Sequence, residues 1–195
     1  MKETYEYLQK NVRLIGLSGA AGSGKDYVAK ILCNAYNFHN WSLAWHFKTE
    51  AVTQGIGSHD EVFHTKPTSI RNVLQIMGTE LGRDRFGEDW WTNMALNWIR
   101  LLHEQWGYIC WVIPDVRFPN ELEGIRKSGG KIYRVISDVQ NRSLTEKAKE
   151  HASETSLSDD SSLFDGVIRN YIKTTPEEGR NLSTTLTKII LDWET

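Results

Sequence analysis

Leu14-Ile-Gly-Leu-Ser-Gly-Ala-Ala-Gly-Ser-Gly-Lys-Asp26 is the stretch whose reading decides the fold. An apolar run over residues 14–17 enters a glycine-rich loop, and the loop opens onto Lys25 and an amphipathic segment. Strand, phosphate loop and helix are predicted in that order. Gly19, Gly22 and Gly24 can take backbone angles closed to other residues, so successive N–H groups can turn inward around an anion. The helix start adds partial positive charge and Lys25 a full one, aimed at β/γ-phosphates. The spacing is GxxxxGK, with Asp26 where a Ser or Thr usually follows. A hydroxyl there binds Mg²⁺ directly; a carboxylate can bind the metal, reach it through water, or pair with an arginine.

Working outward, Tyr27, Val28, Ile31, Leu32 and Ala35 recur at helical spacing. Residues 1–12 are polar with scattered aromatics and read as a short helix or tail outside the core. Residues 41–43 read as a second strand leading to a helix through about residue 52. Residues 55–67 read as a loop. Ile70, Val73, Leu74, Met77 and Leu81 then mark an amphipathic helix that Thr68 or Ser69 can cap. Its opposite stripe holds Arg71, Gln75, Gly78, Thr79 and Arg83. Two arginine forks beside an amide, a hydroxyl and a glycine suit a phosphorylated ligand, where an exposed face usually mixes Lys and Glu; a merely solvated face is the alternative.

A helix follows Phe86-Gly-Glu-Asp-Trp90, with Trp91, Met94, Ala95, Trp98, Leu101 and Leu102 expected in the core and Trp90 free to wall a pocket. Residues 108–113 form a continuous apolar run, the pattern of a strand covered on both faces. The run ends at Pro114-Asp115. A carboxylate just past a buried strand, downstream of a phosphate loop, is where such folds hold Mg²⁺; the alternative is a simple turn residue. Pro119 suits a first helical turn, and Gly129-Gly130 suits its end. Residues 131–136 and 164–170 read as strands, separated by a polar excursion. Thr175-Pro-Glu-Glu178 reads as a capping box ahead of a closing helix carrying Leu182, Leu186, Ile189, Ile190 and Trp193. Strands alternating with helices predict one α/β domain with a parallel sheet.

The chain has 195 residues, enough for one domain that buries ~70% of its unfolded surface. Its 23 basic and 25 acidic residues give a net charge of −2, without the basic excess of a protein that binds a nucleic-acid polymer. No apolar run approaches the ~20 residues of a membrane span, and the first ten residues are too polar for a signal peptide. A cytoplasmic protein is expected. Cys33 and Cys110 are expected as reduced, buried thiols, and most of the eight tryptophans as core. The six histidines show no metal-site spacing.

Together these motifs resemble the deoxynucleoside monophosphate kinases of bacteriophages, a branch of the P-loop nucleotide kinases. The residues that carry the resemblance are Ser18-Gly-Ala-Ala-Gly-Ser-Gly-Lys-Asp26, Arg71-Asn-Val-Leu-Gln-Ile-Met-Gly-Thr-Glu80 with Arg83 and Trp90, Asp115-Val-Arg-Phe-Pro-Asn-Glu121, Gly129-Gly130 and His151-Ala-Ser-Glu154. An Asp after the phosphate-loop lysine is common in that family. Where relatives often read Ala-Asp-Pro-x-Lys, this chain has Ala44-Trp-His-Phe-Lys48, and Ser137 stands where an arginine is frequent, which leaves Arg134 or Arg142 as its substitute.

The resemblance implies a single kinase domain. Its core would span about 13–36, 104–136 and 164–195, with an acceptor-binding region at about 44–103 and a lid at about 137–162. It implies transfer of the γ-phosphoryl group of ATP, with Mg²⁺, to a deoxynucleoside 5′-monophosphate, in host cytoplasm if the source is a phage. The donor would lie on Gly19, Gly22, Ser23, Gly24, Lys25, Asp26, Tyr27 and Arg142, and the metal on Asp26 and Asp115. Lys25, Asp26, Arg71, Asp115 and Arg117 would carry the chemistry. The acceptor would meet Lys48, Arg71, Gln75, Gly78, Thr79, Arg83, Trp90, Asn120 and Glu121, with His151 and Glu154 closing from the lid. An anionic acceptor is already a nucleophile, so no general base is needed. Two other readings stay open: a P-loop kinase of another small phosphorylated or hydroxyl metabolite, and a non-catalytic nucleotide-binding module. Dimerisation is also left open.

Overall fold

β1 (Arg13–Ser18) is the central strand, because its apolar residues must be covered on both sides at once. Successive side chains point to opposite faces, so Leu14 enters one core and Ile15 and Leu17 the other. The computed structural model describes residues 1–137, 161–170 and 176–191. Around β1 stand β2 (His39–Asn40), β3 (Cys110–Ile113), β4 (Lys131–Ile136) and β5 (Gly166–Arg169), all parallel, in the order β2-β3-β1-β4-β5. Arg13 lies opposite Cys110 on one side, and Ile15 opposite Lys131 on the other. This is the parallel sheet flanked by helices that the pattern predicts.

Ten helical segments and a 3₁₀ turn at Ser161–Leu163 complete the described fold. α1 (Lys2–Asn11), α6 (Trp90–Trp106) and α7 (Pro119–Lys127) cover one face, and α2 (Lys25–Tyr36) and α8 (Pro176–Leu191) the other. Between β2 and α6 lie α3 (Trp45–Thr53), α4 (Thr68–Gly78), the single turn α5 (Asp84–Phe86) and two π-helical turns, Glu61–Thr65 and Thr79–Arg83. They share a small core of Ala51, Val62, Ile70 and Leu74, with Phe47 and Met77 packed against it.

Several expectations need correction. Residues 1–12 are not outside the core: Leu8 and Val12 are buried with Leu14 and Ile99, and Thr4 donates to Asn97 of α6 at 2.8 Å. The core therefore begins before residue 13. This helix also explains α6. With α1 and α7 packed on it, the buried stripe is Thr92, Ala95, Leu96 and Ile99, and Trp98 and Leu101 turn outward, 42% and 45% exposed. The second strand is His39–Asn40 instead of 41–43, since from Leu43 onward the chain is bonded to Asp115.

Residues 55–67 contain a π-helical turn, and α4 starts after Pro67 without a side-chain cap. α4 passes at Thr79 into the second π-helical turn, which breaks the 3.6-residue period and leaves Leu81 exposed. Of the tryptophans, Trp41 and Trp111 are buried while Trp45, Trp98 and Trp106 are exposed. Both cysteines are free and half-buried. Thr175, Trp193 and residues 138–160 of the predicted lid at about 137–162 lie outside the described residues.

Candidate active site

The phosphate loop takes the shape its glycines allow. Gly19, Gly22 and Gly24 all have positive φ, at 145°, 77° and 89°. At Gly19 a Cβ would lie 2.3 Å from Val135 O, so a neighbouring strand also excludes any larger residue. Lys25 opens α2, and its ammonium donates to Gly19 O and, at 2.9 Å, to Ala20 O, spanning the loop. Ser23 is fully buried, whereas Asp26 and Tyr27 are exposed at the helix start.

One residue outside the sequence-based set holds the loop from behind. Asn170 follows β5, is 2% exposed, and donates from Nδ2 to Ser23 O at 3.1 Å. The signal in the sequence was faint: a lone Asn at the end of a strand, far along the chain from its partner.

Asp115 follows β3 and fastens the entry to α3. Its Oδ2 accepts from Ser42 Oγ at 2.6 Å and from Ala44 N at 3.2 Å, and its Oδ1 from Leu43 N at 2.9 Å. Lys48 then stands in the combined field of several of the predicted residues. Burial pushes its pKa down; Asp115 and Asp26 pull it back up, and Lys66 and Arg117 push it down again. Charged groups from α2 and the turn after β3 thus lie within electrostatic reach of Lys48 on α3. Arg71 is exposed on α4 and donates from Nε to Lys66 O at 2.8 Å. Gln75 and Thr79 are also exposed.

Arg83 leaves the stripe it shares with Arg71 in the sequence. The π-helical turn carries it to α7, where it lies 3.9 Å over the Phe118 ring, 3.4 Å from Glu121 Oε1 and 3.2 Å from Asn120 Oδ1. Glu121 Oε2 accepts from Arg117 N at 2.7 Å and Phe118 N at 3.1 Å, and Asn120 donates to Glu88 O and Asp89 Oδ1. Burial raises the Glu121 carboxyl to about 7, against the pull of these two N–H groups; Asp115 raises it further and Arg83 lowers it. Arg83, Asn120 and Glu121 are brought together, as one clasp between the second π-helical turn and the start of α7.

The space over Gly78 is used by the chain itself. A Cβ there would come 3.3 Å from the Phe47 ring, and Gly78 O accepts from Trp91 Nε1 at 2.7 Å. Beyond Phe47 and Trp91 opens a cavity of about 330 Å³, walled also by Trp90, Met77 and Met94, with His46 and Glu50 as its polar lining. Residues 46 and 50 share one face of α3, and Lys48 leaves on the other, toward the charged groups. Burial lowers the His46 pKa, so its imidazole is neutral near pH 7. Arg142, His151 and Glu154 lie outside the described residues. Among the described residues no three His, Cys, Asp or Glu side chains gather as a metal site, and no helix is long and apolar enough to cross a membrane.

A glycine-cradled anion site at the head of a helix, on a five-stranded parallel sheet, defines a P-loop protein. Residues 53–173 match the family model described as deoxynucleotide monophosphate kinase, a stretch that begins after the phosphate loop and so adds to it independently. The chain belongs to the deoxynucleotide monophosphate kinase family.

A protein of Acanthamoeba polyphaga mimivirus, whose own assignment as a deoxynucleotide monophosphate kinase is provisional, is 29% identical over 140 residues, covering 63% of this chain and 72% of that one. Among solved structures, a dephospho-CoA kinase from Campylobacter jejuni aligns with a TM-score of 0.48 at 12% identity, over 91% of this chain and 97% of that one. A sugar kinase from Janibacter sp. aligns with a TM-score of 0.47 at 13% identity, over 90% and 93%.

Proposed function

We propose that this kinase transfers the γ-phosphoryl group of ATP to a deoxynucleoside 5′-monophosphate. The observation that carries the reading is that Asp26, next to the Lys25 loop, and Asp115 and Arg117, after β3, all act electrostatically on the buried Lys48, in a chain whose family is fixed by residues outside that loop. Two anions that repel each other can be held for in-line transfer only by fixed positive charge between and around them.

In this reading Gly19, Gly22, Ser23 and Gly24 cradle the donor phosphates, with Lys25 on the β/γ oxygens and Tyr27 beside the nucleotide. Lys48, Arg71 and Arg117 hold the acceptor phosphate and the charge that develops on transfer. Gln75 and Thr79 face its sugar or base, and Trp90 its ring. Arg83, Asn120 and Glu121 act by fixing the start of α7, and with it the backbone of Arg117. The family resemblance assigns Arg142, His151 and Glu154 to closure and water exclusion.

Asp26 and Asp115 fit a Mg²⁺ ion of the kinase kind, which takes one or two carboxylates and completes its shell with water and phosphate oxygens. Asp26 is exposed, and Asp115 Oδ1 accepts only the bond from Leu43 N, which leaves it a second lone pair, whereas Oδ2 already accepts two. When bound, such an ion neutralises charge on the donor phosphates.

The test is coupled ADP release with Mg-ATP against the common ribo- and deoxyribonucleoside monophosphates. Acceptor-dependent release with at least one deoxynucleotide is expected, and Lys25→Ala and Arg71→Ala should each lower it about a hundredfold or more. Phosphorylation of an alcohol metabolite with no nucleotide accepted would sink the proposal, as would ATP binding without any acceptor-dependent turnover.

A further inference from the structure

Asn170 is among the most deeply buried polar residues described. It stands where β5 ends, and its own N–H continues the sheet by donating to Ile136 O at 2.8 Å. Its side chain faces the phosphate loop. Nδ2 donates to Ser23 O, while Oδ1 is sealed from solvent with no partner among the described residues. A Cβ on Gly24 would lie 1.9 Å from Nδ2, so the amide occupies the space that glycine vacates.

The peptide between Ser23 and Gly24 is planar and trans, which points its C=O and its N–H in opposite directions. A donor that grips Ser23 O from behind therefore turns Gly24 N–H toward the inside of the loop. Gly24, at φ 89°, lacks the side-chain restraint that would otherwise hold this plane, since glycine enters the left-handed and right-handed regions about equally. We infer that Asn170 is a positioning residue: by holding Ser23 O it sets the Ser23–Gly24 peptide plane and so aims the Gly24 N–H at a bound phosphate. The inference rests on reading this loop as the donor-phosphate site.

Its consequence is selective. An N–H aimed at a phosphate oxygen is a hydrogen bond to a charged group, and losing that alignment costs about ten- to a hundredfold in affinity. Nucleotides whose second phosphate reaches the loop should lose it, while adenosine, which has no phosphate, should not. Asn170→Ala removes the donor. Asn170→Leu removes the donor while keeping most of the volume and adding no charge, so the two variants separate loss of the hydrogen bond from loss of packing.

The experiment is calorimetric titration of the wild-type chain and both variants with ADP, ATP and adenosine, alongside thermal unfolding without ligand. Weakening of ADP and ATP by tenfold or more, with adenosine unchanged and the folded fraction intact, is the expected result. Wild-type affinity for ADP in a folded variant overturns the inference, as does an equal loss for adenosine. If the wild-type chain itself binds no nucleotide, the reading of the loop fails first and takes the inference with it.

Discussion

Replacing Glu121 by Gln should change how stability depends on pH, in a direction that burial dictates. The carboxyl is 6% exposed, and burial lifts its pKa to about 7 from an ordinary 4.5, although Arg83 lies 3.4 Å away and two backbone N–H groups point at its other oxygen. Desolvation dominates because the Arg83 contact is long and the guanidinium is shared with Asn120 and the Phe118 ring. A folded-state pKa above the unfolded one means that the native state binds the extra proton. The contribution is thus fully present below about pH 4.5 and is lost as pH rises through 7.

At 1.36 kcal/mol per unit, the loss between pH 5 and pH 8 is about 2–3 kcal/mol. That is about 4–12 °C in melting temperature for a chain of this length. Gln keeps a carbonyl for the Arg117 and Phe118 N–H groups and does not titrate. Urea unfolding at pH 5, 6, 7 and 8 should show the wild-type midpoint falling relative to Glu121→Gln across this window. Parallel curves for the two proteins, or a wild-type chain that gains relative stability toward pH 8, would refute the reasoning.

Asp115→Ala removes three hydrogen bonds from residues 42–44 and should destabilise by about 2–4 kcal/mol, read by urea unfolding, with Asp115→Asn costing less because its carbonyl still accepts from a backbone N–H. Gly82→Ala would set a methyl 2.5 Å from the Trp91 indole; it should cost about 1–3 kcal/mol and shift tryptophan emission as that ring leaves Gly78 O.

The phosphate loop and the central strands were legible because their signals are local: glycines at fixed offsets, and apolar runs closed by Pro-Asp. β4 falls on residues 131–136 as the alternation indicates, and α7 begins at Pro119. What was not legible depends on partners distant in the chain. Asn170 touches Ser23 from 147 residues away. The polarity of residues 1–12 hid the few apolar positions that α1 buries against α6. The π-helical turn at Thr79–Arg83 inserts its extra residue per turn without any proline or glycine pattern that demands it, and this moved Arg83 out of the stripe and Leu81 out of the core. The roles of Arg71, Gln75 and Thr79 were suggested by their shared helical stripe and by the family resemblance, and all three are exposed, Arg71 with its Nε on Lys66 O.

The fastening of α3 has a mechanical consequence. Asp115 pins the chain just ahead of this helix, and its charge is also felt by Lys48 one turn further on, while His46 and Glu50 look out from the far side over the cavity. A rigid rod anchored at one end and lined differently on its two flanks turns as a unit. His46, Lys48 and Glu50 ride on the same helix, so a displacement of this wall of the aromatic hollow carries the lysine with it.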